Sequence, residues 1–66
     1  MKNNIKELRK NNNLRQEDLA QILGVTRQTI IAIENNKYDP TLELAMKISD
    51  YFGKSVNEIF QLDHES

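Results

Sequence analysis

The sequence predicts a compact all-α domain of five short helices. Its apolar residues recur at helical spacing, and no alternating strand pattern runs beyond a few residues. Most apolar runs open on a capping side chain and close on Asn or Gly. The 66 residues allow one domain and contain no cysteine, so neither a disulfide framework nor a Cys-based zinc site is available. A domain this small buries only about 60% of its unfolded surface, so its stability must come from helix packing, with self-association as an optional extension.

Asn4 is the expected N-cap of the first helix, with Glu7 three residues on as its capping-box partner. Ile5 and Leu8 give one stripe, and Asn11-Asn12-Asn13 stops the helix. The second runs from about Gln16 to Leu23. Glu17 and Asp18 lie in its first turn, where the helix dipole favours acids, and Leu19, Ala20 and Leu23 form the buried face. Gly24 ends it. Thr26 caps a third helix, about Arg27 to Asn35, with Ile30 and Ile33 on one side. A turn follows, in which Pro40 pushes Asp39 out of the helical region. Thr41 caps the fourth helix, whose stripe is read as Leu42, Ala45, Ile48 and Phe52, and Gly53 ends it. Ser55 and Glu58 form a capping box for a one-turn fifth helix carrying Val56, Ile59 and Phe60. The domain is expected over residues 4–60, with a short polar tail at 61–66.

Net charge is −1, but it is divided unevenly. Residues 1–38 carry seven basic and four acidic side chains, and residues 39–66 carry two and six. A polyanion would meet the first half and be repelled by the second. The start, Met1 to Asn4, has no apolar run, and no stretch nears the roughly 20 apolar residues of a membrane span. A soluble, cytoplasmic protein with no membrane contact is the expectation. High Asn and Lys content fits an A·T-rich coding genome, such as that of a low-GC bacterium or its phage.

The stretch from Gln16 to Lys37 is the most informative. Two helices joined by a turn containing Gly24-Val25-Thr26 suit a helix-turn-helix unit, whose second helix enters the major groove. Ala20 is small where the second helix crosses, and Gly24 takes the φ > 0 conformation that re-aims the chain. Val25 plugs the wedge between the helices.

The run Gln16-x-x-Leu19-Ala20-x-x-x-Gly24-Val25-Thr26-x-x-x-Ile30-x-x-Ile33-Glu34-Asn35 resembles the helix-turn-helix of the phage Cro and C1-type repressors, the XRE family. Pro40-Thr41-Leu42, Lys47-Ile48 and Val56-Asn57-Glu58-Ile59-Phe60 resemble the rest of that domain, so the likeness covers about residues 4 to 60. It is nearest to minimal stand-alone members, which add almost nothing to the DNA-binding domain. The resemblance implies a lambda-repressor-like five-helix DNA-binding domain, a double-stranded DNA operator as partner, and a transcriptional regulator, with repression preferred.

Recognition-helix roles follow from direction and chemistry. At about 100° per residue, Gln28 and Asn35 point almost opposite the buried Ile30 and Ile33, flanked by Arg27, Ile31 and Ala32. Arg27 suits guanine O6 and N7, and Gln28 suits adenine N6 and N7. The Ala32 methyl suits a thymine methyl. Ile31 either reads thymine methyls or packs beneath the turn at 36–41. The resemblance implies that Gln16 offers the N-terminus of its helix to a phosphate, and that Thr26, Thr29, Asn35 and Lys37 contact the DNA backbone. Arg15 departs from the usual Ser or Thr cap. This weakens the helix start but adds a cation beside that phosphate. Tyr38 either donates to a phosphate or packs the turn.

The resemblance further implies a partly buried ion pair between Arg9 and Glu34. It also implies a homodimer on an inverted repeat, its interface formed by the turn after the recognition helix and the C-terminal helix. Here those regions offer Asp39, Pro40, Val56, Phe60 and Leu62. Val56, Ile59 and Phe60 exceed what a one-turn helix buries, which leaves apolar area over.

An enzyme would need a nucleophile with its base, paired carboxylates in a cleft or a metal cluster. His64, the single histidine, falls in the polar tail, and no Gly-rich phosphate loop follows a strand. No enzymatic activity, cofactor, metal or small-molecule ligand is expected. RNA binding lacks a set of stacking aromatics. The alternative that stays open is an antitoxin or other protein-interaction module with autoregulatory DNA binding.

Overall fold

The computed structural model describes residues 1–62. Its elements run β1 (Lys2–Asn3), α1 (Ile5–Asn11), α2 (Gln16–Leu23), α3 (Arg27–Glu34), α4 (Leu42–Phe52), α5 (Val56–Ile59) and β2 (Phe60–Gln61). The five helices are those the sequence predicts. His64 lies outside the described residues. No helix among the described residues is long and apolar enough to cross a membrane.

Local chemistry explains where the helices begin and end. Thr26, Thr41 and Ser55 each accept the backbone N–H three residues on, which supplies an N-terminal amide with a partner. Ser55 and Glu58 complete a reciprocal capping box. At α2, Arg15 has only donors and cannot cap. Asp18 instead accepts the Arg15 N–H at 2.9 Å, so the helix start is secured from its third residue. Gly24, at φ 73°, and Gly53, at φ 67°, end α2 and α4 in the left-handed region that favours glycine. Asn13 and Asn36 take the same conformation, which Asn tolerates better than most side chains.

The capping box expected of Asn4 and Glu7 at the start of α1 is corrected. The Asn4 side chain makes no capping bond to α1; its Nδ2 donates to the Glu58 carbonyl at 2.9 Å. Asn3 takes over locally, its Oδ1 accepting the Ile5 N–H at 3.1 Å in an Asx turn. The swap follows from a strand pair that the sequence did not announce. Lys2 pairs with Gln61 and Asn3 with Phe60, antiparallel.

The core joins Ile5, Leu19, Ala20, Leu23, Ile30, Ile33, Leu44, Ala45, Ile48, Ile59 and Phe60. Met1, Leu8, Leu14, Val25, Phe52 and Val56 pack partly against it. The α4 stripe differs from its expected reading: Leu44 is buried, 7% exposed, and Leu42 is 74% exposed. Successive steps of three drift by 60°, which puts Leu42 about 120° from Ile48, whereas Leu44 sits one turn from it, about 40° away. Leu44, Ala45, Ile48 and Phe52 are the true 3.6-residue stripe.

Candidate nucleic-acid interface

The helix-turn-helix is built from α2, the turn Gly24–Thr26 and α3. The Val25 N–H returns to the Ala20 carbonyl at 3.0 Å, and the Gly24 N–H returns to Gln21 at 3.3 Å. These bonds close α2 and aim α3 across it. Val25 is half-buried in the angle between the two helices, where a wedge residue is required.

Burial of Ile30 and Ile33 fixes the rotation of α3. Arg27, Gln28 and Asn35 are exposed, and Ile31 and Ala32 are half-buried beside them. The exposed face therefore carries a forked cation and two carboxamides. Thr26 and Thr29, with hydroxyl oxygens 3.0 Å apart, hold the first turn together. That turn is where a recognition helix approaches base edges.

Beside this face, Arg9, Arg15, Gln16, Glu17 and Arg27 line an open cleft of about 460 Å³. Arg27 and the first turn of α2 favour an anion there, whereas the Arg9 charge is taken up by Glu34 and the Glu17 carboxylate lines the same cleft. Arg15 is not a free cation: it lies 3.3 Å from both Glu17 and Asp18. Its hydrogen bond to Asp18 raises its pKa further. Asp18 in turn is held below the usual carboxylate range, first by the Arg15 backbone N–H and then by its side chain. Both pairs are exposed and screened by solvent, so a phosphate can displace them.

Beneath the cleft, Arg9 Nε donates to Glu34 Oε2 at 2.7 Å and Arg9 Nη2 donates to Glu34 Oε1 at 3.2 Å. Arg9 Nη1 donates to the Leu14 carbonyl at 2.8 Å, and Gln16 Nε2 donates to Glu34 Oε1 at 3.2 Å. One carboxylate thus ties α1 and α2 to the end of α3. The roles of Leu14 and of the Gln16 side chain were not read from the sequence. A carbonyl acceptor leaves no residue-type signal, and a polar side chain at a helix start is ordinarily a solvated one.

Lys37 is exposed in the turn after α3, and its N–H bonds to the Ala32 carbonyl at 2.9 Å. Tyr38, 43% exposed, shares a shallow cleft with Val25, Thr29 and Thr41. Asp39 is exposed and lies 3.4 Å from the Met1 amino group. Continuing the β1–β2 register brings Met1 opposite Leu62, so the first residue runs between Asp39 and the end of the C-terminal strand. Pro40 and Val56 are half-buried and Leu62 is exposed.

Phe60 is placed differently from expectation. It is only 6% exposed, because the chain leaves α5 at Phe60 and turns extended to pair with Asn3. Ile59 and Phe60 both face the core as a result, and little apolar area is left over from α5.

A protein-family model described as helix-turn-helix matches residues 5–59. An uncharacterized HTH-type transcriptional regulator of Methanocaldococcus jannaschii is 60% identical, the alignment covering 91% of each chain. An uncharacterized HTH-type transcriptional regulator of Bacillus subtilis is 46% identical over all of both chains. The transcriptional repressor RstR of a cryptic CTXphi phage in Vibrio cholerae is 33% identical over 83% of this chain and 50% of its own length.

Proposed function

The chain belongs to this helix-turn-helix family, and on that premise we propose that it is a transcriptional regulator that binds double-stranded DNA sequence-specifically and acts as a repressor. The observation that carries the reading is the rotation of α3. Ile30 and Ile33 lock one side into the core, which leaves Arg27, Gln28 and Asn35 outward on a helix that fits a major groove about 12 Å wide. Arg27 forks onto guanine O6 and N7, and Gln28 spans adenine N6 and N7. The Ala32 methyl, and Ile31 beside it, meet thymine methyls. Arg15, Gln16, Thr26, Thr29, Asn35, Lys37 and Tyr38 ring this face and take the flanking phosphates.

Repression needs no surface beyond the one that binds DNA, because occupying a promoter excludes other proteins. The repressor among the relatives is consistent with it. The working unit is a homodimer on an inverted repeat, because one such helix reads only a few base pairs. Selection of bound molecules from a random-sequence DNA pool, followed by sequencing, tests the reading. An enriched inverted repeat is the expected result. A pool that stays random overturns it and favours a protein-interaction module.

A further inference from the structure

We propose that Asn3 is a positioning residue for DNA binding: it holds the C-terminal end of α3 and the turn behind it, and so sets the phosphate contacts of Asn35 and Lys37. The inference rests on the DNA-binding reading above. Asn3 lies outside the span that matches the family model, residues 5–59.

The Asn3 amide joins three elements. Its Nδ2 donates to the Ile33 carbonyl at 2.8 Å and to Asn36 Oδ1 at 3.3 Å. Its Oδ1 accepts the Ile5 N–H at 3.1 Å. The residue itself is fixed by pairing with Phe60 in the β1–β2 ladder. The last carbonyls of a helix have no intrahelical donor, so a side chain reaching in from another element chooses the path of the chain that leaves. The Ile33 carbonyl also accepts the Asn36 N–H at 3.0 Å, so both donors meet where Asn36 turns left-handed at φ 59°. Asn35 and Lys37 flank that residue on either side. Met1 reaches the same turn two residues further on, at Asp39. The N-terminal strand is thus a strap across the turn that carries the phosphate-binding side chains. Arg27 and Gln28 sit at the far end of α3, held by the Thr26 cap, and are independent of it.

Loss of the Nδ2 donor should therefore weaken backbone contacts and leave base preference intact. Asn3→Ser keeps an oxygen for the Ile5 N–H and removes the reach to Ile33. At about 0.1 M salt, it is expected to bind selected and random DNA alike about tenfold more weakly, with a salt slope shallower by about one. The selected sequence should be unchanged. Combined with Lys37→Ala, it should weaken binding by less than the product of the two separate losses. Ile48→Val, a core change, serves as the stability control and should leave affinity unaltered.

Wild-type affinity and slope in Asn3→Ser, a loss no larger than that of Ile48→Val, or losses that multiply with Lys37→Ala would each overturn the proposal. Should Asn3→Ser not fold, Asn3→Thr, β-branched and suited to the strand, likewise keeps an oxygen for the Ile5 N–H and lacks the reach to Ile33, and the same readouts decide. A wild type that enriches no sequence overturns the DNA-binding reading itself. A wild type that enriches one, with a variant equal to it, overturns only the role of Asn3.

Discussion

Arg9 and Glu34, 25 residues apart in sequence, form a two-bond ion pair whose side chains are only 8% and 2% exposed. The carboxylate also accepts from Gln16, and Arg9 also donates to Leu14, so no polar atom of the pair is left idle. The pair fixes the end of α3 to α1 and α2. Removing one partner of such a pair strands a buried charge, at a cost of about 3–5 kcal/mol. Glu34→Gln should therefore lower the melting temperature by roughly 12 °C or more, at about 4–8 °C per kcal/mol for a domain of this size. Arg9→Met combined with Glu34→Leu should recover much of the loss, since apolar replacement of both partners is often near neutral. A Glu34→Gln melt indistinguishable from wild type would mean that the pair contributes nothing.

Groove readout and backbone contact separate by mutation. Arg27→Ala and Gln28→Ala should each cost roughly 1–3 kcal/mol on the selected site and relax preference at one or two base pairs. Lys37→Ala should weaken all sequences alike and lower the salt slope by about one. Titrations of the selected site and of random DNA at several salt concentrations give both quantities. An unchanged site and affinity for Gln28→Ala would mean that another surface reads the bases.

Helix α4 yields a stability prediction and shows how far the sequence could be read. Leu44→Ala opens a cavity in the core and should cost about 2–5 kcal/mol, whereas Leu42→Ala, on the surface, should stay within about 0.5 kcal/mol. Urea denaturation of the two variants checks the contrast, and equal losses would contradict the burial pattern. Leu42, Leu44 and Ala45 lie so close together that two apolar stripes fit the same letters, and only packing against α2 and α5 chooses between them. Where the pattern had one solution, as at Leu19-Ala20-Leu23 or Ile30 and Ile33, the buried face was legible. The helix starts at Thr26, Thr41 and Ser55 were legible too, because their caps act within three residues. The Asn3 and Asn4 roles were not, since two adjacent Asn side chains offer the same chemistry and a strand pair between the two ends of the domain decides. Phe60 was misread for the same non-local reason.

Two surface carboxylates contribute to the acid limb of stability. Asp18 is held below its ordinary range chiefly by the Arg15 backbone N–H, and Glu58 chiefly by the Ser55 backbone N–H. A carboxylate with a lowered folded pKa adds stability above its unfolded value, near 4, and loses it as pH falls through the folded value. The melting temperature should thus be level from about pH 5 to 8 and fall below about pH 4. Asp18→Asn with Glu58→Gln should lower the neutral plateau and flatten the acid limb. Thermal melts from pH 7 to pH 2 read both, and an unchanged acid limb would show that these caps do not govern it.

The homodimer is the most demanding of the proposals. A genome offers roughly 10⁶ or more competing sites, too many for one recognition helix to beat. A twofold-symmetric pair doubles the site and needs only one self-complementary patch. Leu62, 69% exposed, is the largest free apolar side chain near the C-terminal strand, and Met1 links that strand to Asp39 in the turn after α3. Pro40 and the half-buried Val56 add area, while Phe60, facing the core, offers it little surface. A stable interface needs about 800 Å² per partner, so a charge at its apolar centre should not be tolerated. Leu62→Glu should shift the protein to monomer in sedimentation equilibrium at micromolar concentration. It should also weaken binding to the two-half-site operator far more than binding to a single half-site. With the wild type, affinity should peak when half-sites are centred about 10–10.5 base pairs apart, one turn of DNA. A monomeric mass for the wild type, together with indifference to half-site spacing, would falsify the dimer. A dimeric mass that survives Leu62→Glu would instead move the interface away from the C-terminal strand.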